Sequence, residues 1–221
     1  MASPRRIGAL DAKNRMVLLD AAERLLLEEG HAAVSSRRVA AKAGLKPQLV
    51  HYYFRTMDDL LLEVFRRRAE EGLAHQARAL ESDQPLWALW RFSTDPAGVA
   101  FAMAFTGLAH QRAAIRAEIA DYSERFRVAQ VEALSEILDR YEIPSGELPP
   151  AVLAVLLTSI SRVVMMEESL GFATGHAETA ELVERCIRRL EGDPRTEDTT
   201  SWTSGSAGPA SSVQEVHGLR L

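Results

Sequence analysis

The amino-acid sequence predicts an all-helical fold, in which a small helix-turn-helix domain is joined by a long helix to a larger helical body. Three observations support this prediction. The chain is rich in Ala, Leu, Glu and Arg and lacks long alternation of apolar and polar residues. Gly and Pro recur at the ends of segments with helical spacing. Basic residues are concentrated in the first third of the chain.

Length and composition exclude several classes of protein. At 221 residues the chain can form one large domain, or a small domain and a larger one. Apolar residues make up 47% and charged residues 26%, as in ordinary globular proteins. Cys186 is the only cysteine, so one chain can form no disulfide, Cys-x-x-Cys redox pair or thiolate zinc site. We expect no cofactor and no metal.

The apolar runs predict no membrane segment. The longest run, 151–160, is shorter than the roughly 20 residues that cross a bilayer. No apolar stretch follows the basic residues near the amino terminus, so a secretory signal is not indicated. We therefore expect a soluble, cytoplasmic protein with no membrane partner.

The net charge of −5 is unevenly distributed. Residues 1–68 contain 13 Lys and Arg against 8 Asp and Glu, whereas residues 69–221 contain 13 against 23. The first segment therefore carries a net charge of +5 and the remainder −10. A basic domain on an acidic body predicts a polyanionic partner for that domain, and a solvated charged face is the alternative.

Four helices are predicted in the amino-terminal part, at 11–29, 36–43, 47–54 and 58–80. Apolar residues recur on one face of the first helix, and Gly30 can end it. Gly44 ends the second helix, and Pro47 takes a favoured first position in the third. The acidic pair at 58–59 suits the start of the fourth helix, which would join the basic domain to the body.

Five further helices are predicted in the body, at 85–92, 96–111, 113–141, 150–171 and 176–191. Asp95 and Pro96 mark a helix start, and the loop 144–150 contains three prolines and a glycine. The helix 150–171 is apolar on most faces and therefore needs several neighbours. Residues 192–221 are rich in Gly, Ser, Thr and Pro and are predicted to be a disordered tail.

The segment 36–54 has the spacing of a helix-turn-helix. Ala40 is small where two helices cross, and Gly44 can take the positive φ of a tight turn. Leu45 and Val50 can fill the angle between the helices. Such a unit places the start of its second helix in the major groove of DNA. The alternative is an ordinary helix pair around a glycine turn.

The second helix of this unit predicts how DNA would be contacted. Gln48 is the leading candidate for base reading, because its amide can pair with adenine N6 and N7. The other residues expected to contact bases are Lys46, Pro47, Leu49 and His51. Phosphate contacts, which position the domain without reading the sequence, are expected from Tyr52, Tyr53, Ser36, Arg37, Arg38, Arg55 and the flexible arm residues Arg5 and Arg6.

Residues 12–66 closely resemble the amino-terminal domain of the tetracycline-repressor (TetR) family. The resemblance rests on Asp20-Ala-Ala-Glu-Arg-Leu-Leu, on Val34-Ser-Ser-Arg-Arg-Val-Ala-Ala-Lys-Ala-Gly44-Leu and on Leu49-Val-His-Tyr-Tyr-Phe54-Arg-Thr-Met-Asp-Asp-Leu-Leu61. These segments cover the first helix, the helix-turn-helix and the start of the connecting helix, in order. The rest of the chain is similar to the family in length and in number of helices.

The resemblance implies a homodimeric transcriptional regulator, usually a repressor, whose helical body binds a small molecule and thereby weakens operator binding. It implies base contacts from Gln48, Leu49 and His51 and phosphate contacts from Tyr52 and Tyr53. The predicted domains are 1–56 for DNA binding, with the basic arm, 57–191 for ligand binding and dimerisation, and 192–221 for the tail.

Two positions depart from the family pattern. Family members often carry a lysine where this chain has Met57, and Arg55 can substitute for it in gripping phosphate. Lys46 stands where a small or acidic residue is more usual. The operator sequence therefore does not follow from the resemblance.

Large apolar side chains in the body predict the ligand pocket that the resemblance implies. The expected lining comprises Trp87, Trp90, Phe101, Met103, Phe105, His110, Tyr122, Phe126, Arg162, Met165 and Met166. We expect an apolar or amphipathic ligand, with a carboxylate or phosphate head group if Arg162 or His110 faces the cavity. The alternative is ordinary core for the aromatic residues and an internal hydrogen bond or ion pair for the polar ones.

The last two predicted helices supply apolar surface for a dimer interface, as a four-helix bundle with their symmetry mates. The residues expected there are Leu153, Leu156, Leu157, Ile160, Val164, Leu182, Val183, Cys186 and Ile187. A two-fold dimer would present two recognition helices to a pseudo-palindromic operator. The expected partners are therefore double-stranded DNA, a small-molecule effector and a second copy of the chain.

Two alternative functions compete with this interpretation. An all-helical enzyme is disfavoured because no phosphate-binding loop, zinc-protease or nucleophile-elbow motif is present, and we assign no catalytic residue. A regulator of the same fold without small-molecule control remains open, acting constitutively or through a protein partner. A body with no cavity would favour it.

Overall fold

The computed structural model describes the backbone of residues 4–195 and the side chains of residues 11–195. Within that range the fold is all-helical, as predicted, and contains no strand. The helices are α1 (Pro4–Glu29), a 3₁₀ turn (His31–Ala33), α2 (Ser36–Ala43), α3 (Pro47–Tyr53), α4 (Met57–Leu80), α5 (Pro85–Ser93), α6 (Pro96–Ala109), α7 (Ala113–Arg140), α8 (Pro150–Ser169) and α9 (His176–Glu191).

The main departure from the predicted helices concerns the amino terminus. Helix α1 begins at Pro4 rather than near residue 11, so Arg5 and Arg6 belong to its first turn and not to a flexible arm. The prediction missed these residues because the apolar periodicity that signals the helix starts only near Val17. The side chains of Arg5 and Arg6 lie outside the described part.

Local sequence signals fix the helix ends that position the helix-turn-helix. Thr56 precedes α4 and forms a capping box, because its Oγ1 accepts from Asp59 N and its N donates to Asp59 Oδ2, both at 3.0 Å. Proline occupies the first turn of α3, α5, α6 and α8. The acidic start predicted for α4 therefore follows a threonine cap.

One apolar cluster joins the DNA-binding helices to the body. It contains Leu18 and Leu25 of α1, Val39 of α2 and Val50 of α3, and it continues through Phe65 of α4. From there it reaches Phe101, Phe105, Leu108 and Ile115 on α6 and α7. The two predicted domains thus share a continuous core of packed side chains.

A second apolar cluster lies at the other end of the body. It contains Trp87 and Trp90 of α5 together with Leu134 of α7, Leu157 of α8 and Ile187 of α9. Helix α5 is therefore the centre of this end of the body, where it packs with α7, α8 and α9.

The carboxylate of Glu191, the last residue of α9, caps α5. Its two oxygens accept from Leu86 N at 2.8 Å and Trp87 N at 3.0 Å, and Oε1 also accepts from the Tyr141 hydroxyl at 2.7 Å. Burial and this bond to Glu191 raise the pKa of Tyr141. The carboxylate satisfies free amides at a positive helix end, so a contact 105 residues away in sequence fixes where α5 begins.

The first residues of the predicted tail are held against α5. Gln84 Nε2 donates to the carbonyls of Glu191 and Asp193, both at 2.9 Å, and its Oε1 accepts from Arg195 N at 2.8 Å. Trp87 Nε1 donates to Gly192 O at 2.9 Å. Residues 192–195 are therefore ordered, contrary to the prediction, and residues 196–221 lie outside the described range.

Helices α8 and α9 expose an apolar surface. Leu156 of α8 is 48% exposed and Leu182 of α9 is 54% exposed, and Val152, Val155, Val163 and Met166 are exposed as well. Among the described helices, α8 is the one long and apolar enough to cross a membrane by length and composition. Those criteria are also met by a helix that packs against a second protein chain, and alone they do not establish a membrane segment.

Candidate nucleic-acid interface and ligand cavity

The turn between α2 and α3 depends on Gly44. This residue has φ 66°, in the left-handed region that glycine adopts at low cost. Leu45 N donates to Ala40 O at 2.9 Å and Gly44 N donates to Ala41 O at 3.2 Å, which is the hydrogen-bond pattern of a Schellman motif. Ala40 is fully buried at the crossing, and Val50 anchors α3 beneath it. This geometry presents α3 at the surface.

The exposed face of α3 carries most of the residues predicted to contact bases. Lys46, Pro47, Gln48 and His51 are all exposed. Leu49 is half-buried and packs against the first apolar cluster, so its side chain has an internal role in addition to the predicted one. The first turn of α3 contains no acidic side chain.

The aromatic end of α3 divides into an outward and an inward residue. Tyr52 is 69% exposed, whereas the Tyr53 hydroxyl donates to Asp11 Oδ1 on α1 at 2.9 Å. Desolvation and the bond to Asp11 raise the pKa of Tyr53. Tyr53 therefore ties α3 to α1, in line with the expectation that one of the two tyrosines packs inward.

The residues predicted to contact phosphate differ in their partners. Arg37 and Arg55 are exposed, and neither forms an ion pair within residues 11–195. Arg38 pairs with Glu29 of α1, and Lys42 pairs with Glu28. Ser36 is half-buried. Arg37 and Arg55 are thus the cations most available to an external anion near α3.

Two successive arginines of α4, Arg66 and Arg67, bind helices on either side of it. Arg67 Nη1 lies 2.6 Å from Asp20 Oδ1, and its Nη2 lies 2.7 Å from Glu23 Oε2, both on α1. Arg66 makes two bonds of 2.8 Å to Glu118 of α7. Burial of Arg67 disfavours its charge, but the bonds to Glu23 and Asp20 raise its pKa overall. Helix α4 is therefore fixed to both α1 and α7 by charge-assisted contacts.

A cavity of about 390 Å³ lies in the body. Its lining comes from α4, α5, α6, α7 and α8, and its volume falls in the range of small-molecule sites. Apolar lining is provided by Phe65, Ala69, Phe92, Val99, Phe101 and Phe126, and polar lining by Arg68, Tyr122, Arg127, Thr158, Ser161 and Arg162, with Asp95 and Glu124.

Four of the eleven residues predicted to form the pocket line this cavity, namely Phe101, Tyr122, Phe126 and Arg162. The other seven do not, contrary to the prediction. Trp87, Trp90 and Phe105 are buried in the two apolar clusters, because their sides of α5 and α6 face neighbouring helices. The remaining four are exposed or half-buried elsewhere, and they are Met103, His110, Met165 and Met166. Phe65, Arg127, Thr158 and Ser161 also line the cavity and are absent from the predicted set.

Tyr122 crosses the cavity towards α4. Its hydroxyl oxygen lies 2.8 Å from the position that a Cβ on Gly72 would occupy, so glycine makes room for the tyrosine. Desolvation raises the pKa of Tyr122 to about 12, with a further contribution from Glu70. Its ring meets Phe65 edge-to-face, with centroids 5.6 Å apart. Tyr122 therefore connects the cavity to the shared apolar core.

The predicted dimer residues also divide by their placement. Leu156, Leu182 and Cys186 are exposed on α8 and α9. Leu157 and Ile187 are only 5% and 6% exposed and belong to the second apolar cluster, so they are unavailable to a partner, contrary to the prediction. The half-buried members are Leu153, Ile160, Val164 and Val183. The predicted residues that are exposed form a smaller apolar surface than the sequence suggested.

An exposed second helix, set by a glycine turn on a buried first helix, defines a helix-turn-helix protein. Residues 18–64 match the family described as bacterial regulatory proteins, tetR family. This match runs from α1 to the first part of α4, so this part of the chain is similar to a family whose members are transcriptional regulators.

A curated relative and several solved structures are similar to the chain. The HTH-type transcriptional regulator BetI of Rhizobium meliloti (strain 1021) is 29% identical over 127 residues, which cover 53% of this chain and 63% of the relative. The match therefore spans less than two thirds of that protein.

Two solved structures illustrate the shared fold. A transcriptional regulator from Saccharomonospora viridis in complex with choline has a TM-score of 0.65 at 17% identity, covering 80% of this chain and 96% of that one. FadR of Bacillus subtilis in complex with stearoyl-CoA has a TM-score of 0.60 at 14% identity, covering 81% and 99%. At these identities the likeness concerns the fold alone.

Proposed function

We propose that the chain acts in the cytoplasm as a homodimeric, DNA-binding repressor that a small amphipathic effector releases from a pseudo-palindromic operator. The observation that carries the proposal is the continuous core between an exposed recognition helix and a cavity in the body. The family supports the regulatory role. Dimerisation, repression and effector control are the added steps, and each rests on separate features of the chain.

Recognition of DNA would use the exposed face of α3. Gln48 is exposed in the first turn, where a side chain reaches base edges once the helix lies in the major groove. Lys46, Pro47, Leu49 and His51 would lie beside it, while Tyr52, Arg37 and Arg55 would hold phosphates. Arg38 and Tyr53 would first have to exchange their partners on α1.

Dimerisation would cover the apolar surface of α8 and α9. Exposed leucine, valine and methionine side chains on α8 and α9 are unusual for the surface of a monomer and are typical of a subunit interface. A four-helix bundle with a symmetry mate would bury Leu156 and Leu182 at its centre. The two copies of α3 could then meet half-sites spaced by about 34–36 Å or a multiple of it.

Effector control would act through α4 and α7. Phe65 of α4 contacts Phe101 and Tyr122, which line the cavity, and only three residues separate the end of α3 from the start of α4. A ligand that shifts α7 relative to α4 would therefore change the spacing of the recognition helices. A 100-fold effect on operator affinity needs a coupling of about 2.7 kcal/mol. The cavity favours this mechanism over a regulator without small-molecule control.

The proposal is tested by a fluorescence-anisotropy titration of the full chain onto the duplex upstream of its own gene, at about 150 mM salt. A random duplex of equal length is the control. We expect at least ~10³-fold tighter binding to the specific site. Equal affinity for both duplexes, with a genome-wide selection that returns no preferred fragment, would contradict sequence-specific regulation.

A further inference from the structure

The polar lining of the cavity is concentrated where α7 faces α8. Thr158, Ser161 and Arg162 are spaced by three and four residues and share one face of α8. Arg127 of α7 lies close enough to Arg162 that the two positive charges interact. The aromatic lining from α4, α5 and α6 forms the rest of the wall.

Neither of these two arginines is paired with a carboxylate within residues 11–195. The contact of Arg127 is a hydrogen bond of 3.3 Å from its Nη1 to Oε1 of Gln130, a fully buried residue one turn later. Burial and the neighbouring charge of Arg162 lower the pKa of Arg127. Gln130 is therefore a positioning residue that orients the Arg127 guanidinium beside the cavity.

The other charged residues of the lining are already engaged or lie at the rim. Arg68 faces Glu23 at 3.3 Å and Glu71 at 3.5 Å. Asp95 caps α6 by accepting from Gly98 N at 2.7 Å. Glu124 is exposed and forms no ion pair with Arg127 in the described structure. Among the lining charges that form no ion pair in the described structure, Arg127 and Arg162 are positive and Glu124 is negative, so a net positive charge remains.

Arg127 is half-buried, whereas Arg162 is exposed where it lines the cavity. A half-buried guanidinium without a counter-ion is unfavourable, and an oxyanion restores its solvation through charge-assisted hydrogen bonds that a second, neighbouring guanidinium can share. We propose that the effector is an amphipathic oxyanion, a carboxylate or a phosphate monoester, whose head group lies between Arg127 and Arg162. Its apolar portion packs on Phe65, Phe101 and Phe126. The inference rests on the proposed function, because it assigns the ligand of the same cavity.

The same geometry argues against a cationic effector. Aromatic rings around a cavity can bind a quaternary ammonium through their faces, and one of the similar structures is a choline complex. Here two unpaired guanidinium groups face the same space, so a second cation would be repelled. Choline therefore serves as the discriminating probe.

The test is isothermal titration calorimetry of the full chain with four ligands of one chain length, namely decanoate, decyl phosphate, decanol and decyltrimethylammonium, with choline as a fifth. We expect the two anions to bind at least about tenfold more tightly than decanol, since a charge-assisted bond supplies the difference. The ratio of the dissociation constants of decanoate and decyl phosphate shows whether the site prefers a carboxylate or a phosphate head group. Tighter binding of decyltrimethylammonium or choline than of decanoate, or no binding of either anion, would overturn the inference.

Substitutions assign the effect to the two arginines. We expect Arg127→Gln and Arg162→Gln each to weaken decanoate binding about tenfold while decanol binding stays unchanged. The corresponding lysine variants should lose less, because they keep the charge. Arg116→Gln, on an exposed position of α7 outside the cavity, is the matched control. Circular dichroism confirms that each variant is folded. Variants that bind decanoate as tightly as the parent would also overturn the inference.

A DNA titration with saturating decanoate separates this inference from the proposed function. Arginine-dependent binding of decanoate without any change in operator affinity would leave the ligand class intact and contradict effector release. Release of the operator by decanol or choline, but not by decanoate, would support effector control and contradict the anionic head group.

Discussion

Arg112 Nε lies 3.1 Å from Asp58 Oδ1, and this ion pair joins the start of α7 to the first turn of α4. Helix α7 lines the cavity, and α4 follows directly after the recognition helix. The pair is only partly buried, with side-chain exposures of 30% and 48%, so its contribution to stability is modest. Its position between α7 and α4 places it on the route by which the proposed effector control would act.

We therefore expect Arg112→Gln and Asp58→Asn to lower the free energy of unfolding by at most about 1 kcal/mol. Both should also reduce the effect of the effector on operator affinity, because we expect the coupling free energy between the two sites to fall by about 0.5–2 kcal/mol. Denaturant unfolding and paired DNA titrations measure the two quantities, and the double variant shows whether they act together. Arg185→Gln removes the exposed Arg185–Glu181 pair of α9 and is the control. A coupling change equal to that of the control would remove the pair from the transmission route.

Substitutions at Gln48 and Arg37 should separate base reading from phosphate binding. We expect Gln48→Ala to cost about 1–3 kcal/mol on the operator and to relax preference at one base pair in each half-site. Arg37→Ala should instead weaken binding to operator and random DNA alike and reduce the salt dependence. Anisotropy titrations on both duplexes measure this, with Arg116→Ala as the control. Equal losses on the two duplexes for Gln48→Ala would exclude it from base reading.

The apolar surface of α8 and α9 predicts the oligomeric state. Leu156→Glu and Leu182→Glu place a charge where a dimer would bury it, so we expect each to shift the protein from dimer to monomer. Sedimentation equilibrium measures the shift. Val128→Glu, at an exposed apolar position of α7, should leave the mass unchanged. A parent chain that sediments as a monomer would disprove the interface.

The close approach of Gly72 and Tyr122 predicts that the effect of Gly72→Ala on stability changes sign when the tyrosine hydroxyl is removed. Gly72→Ala places a Cβ at 2.8 Å from the tyrosine hydroxyl, so we expect a loss of about 1–3 kcal/mol of stability from overpacking. In the Tyr122→Phe background the hydroxyl is absent, and the same substitution should stabilise the protein by about 0.5–1 kcal/mol through helix propensity. Thermal unfolding tests both. Gly107→Ala on α6, where nothing lies within 4 Å, should stabilise in either background.

The raised pKa of Tyr122 predicts a pH dependence. The folded state favours the neutral phenol, so the associated stability is constant below pH 10 and is lost as the pH rises from 10 to about 12. The difference in ultraviolet absorbance between the parent and Tyr122→Phe, followed against pH, isolates the ionisation of Tyr122 from that of the other tyrosines. Denaturant unfolding of the same two proteins along this range should show a smaller pH slope for the phenylalanine variant. An ionisation of Tyr122 complete by pH 10 would contradict the described burial.

The sequence predicts the helices well where local signals decide them. Pro47 and the glycine turn before it define the start of α3, and the amphipathic spacing of residues 176–191 defines α9. The apolar period is absent before Val17, and for that reason the first turns of α1 escaped prediction.

The cavity could be predicted only in part, because helical periodicity shows which side of a helix is buried and not what it is buried against. Trp87, Phe101 and Phe105 are all buried in apolar clusters, yet of the three only Phe101 also borders the cavity. Arg127 and Arg162 come from different helices and meet only through the packing of α7 on α8. The polar residues 158, 161 and 162 on one face of an otherwise apolar helix were the one signal in the sequence that could have indicated this side of the cavity.

The capping of α5 by Glu191 has a consequence for synthesis on the ribosome. The residue that completes the amino end of α5 is made 105 residues after that end, which at ordinary translation rates is roughly 5–20 s later. During this interval α5, with its two tryptophans, has neither its cap nor α9 to cover it. The part of the body around α5 therefore folds late, whereas the helix-turn-helix can form its own contacts early. As nascent chains lengthen, the helix-turn-helix should become resistant to protease first and the part around α5 later.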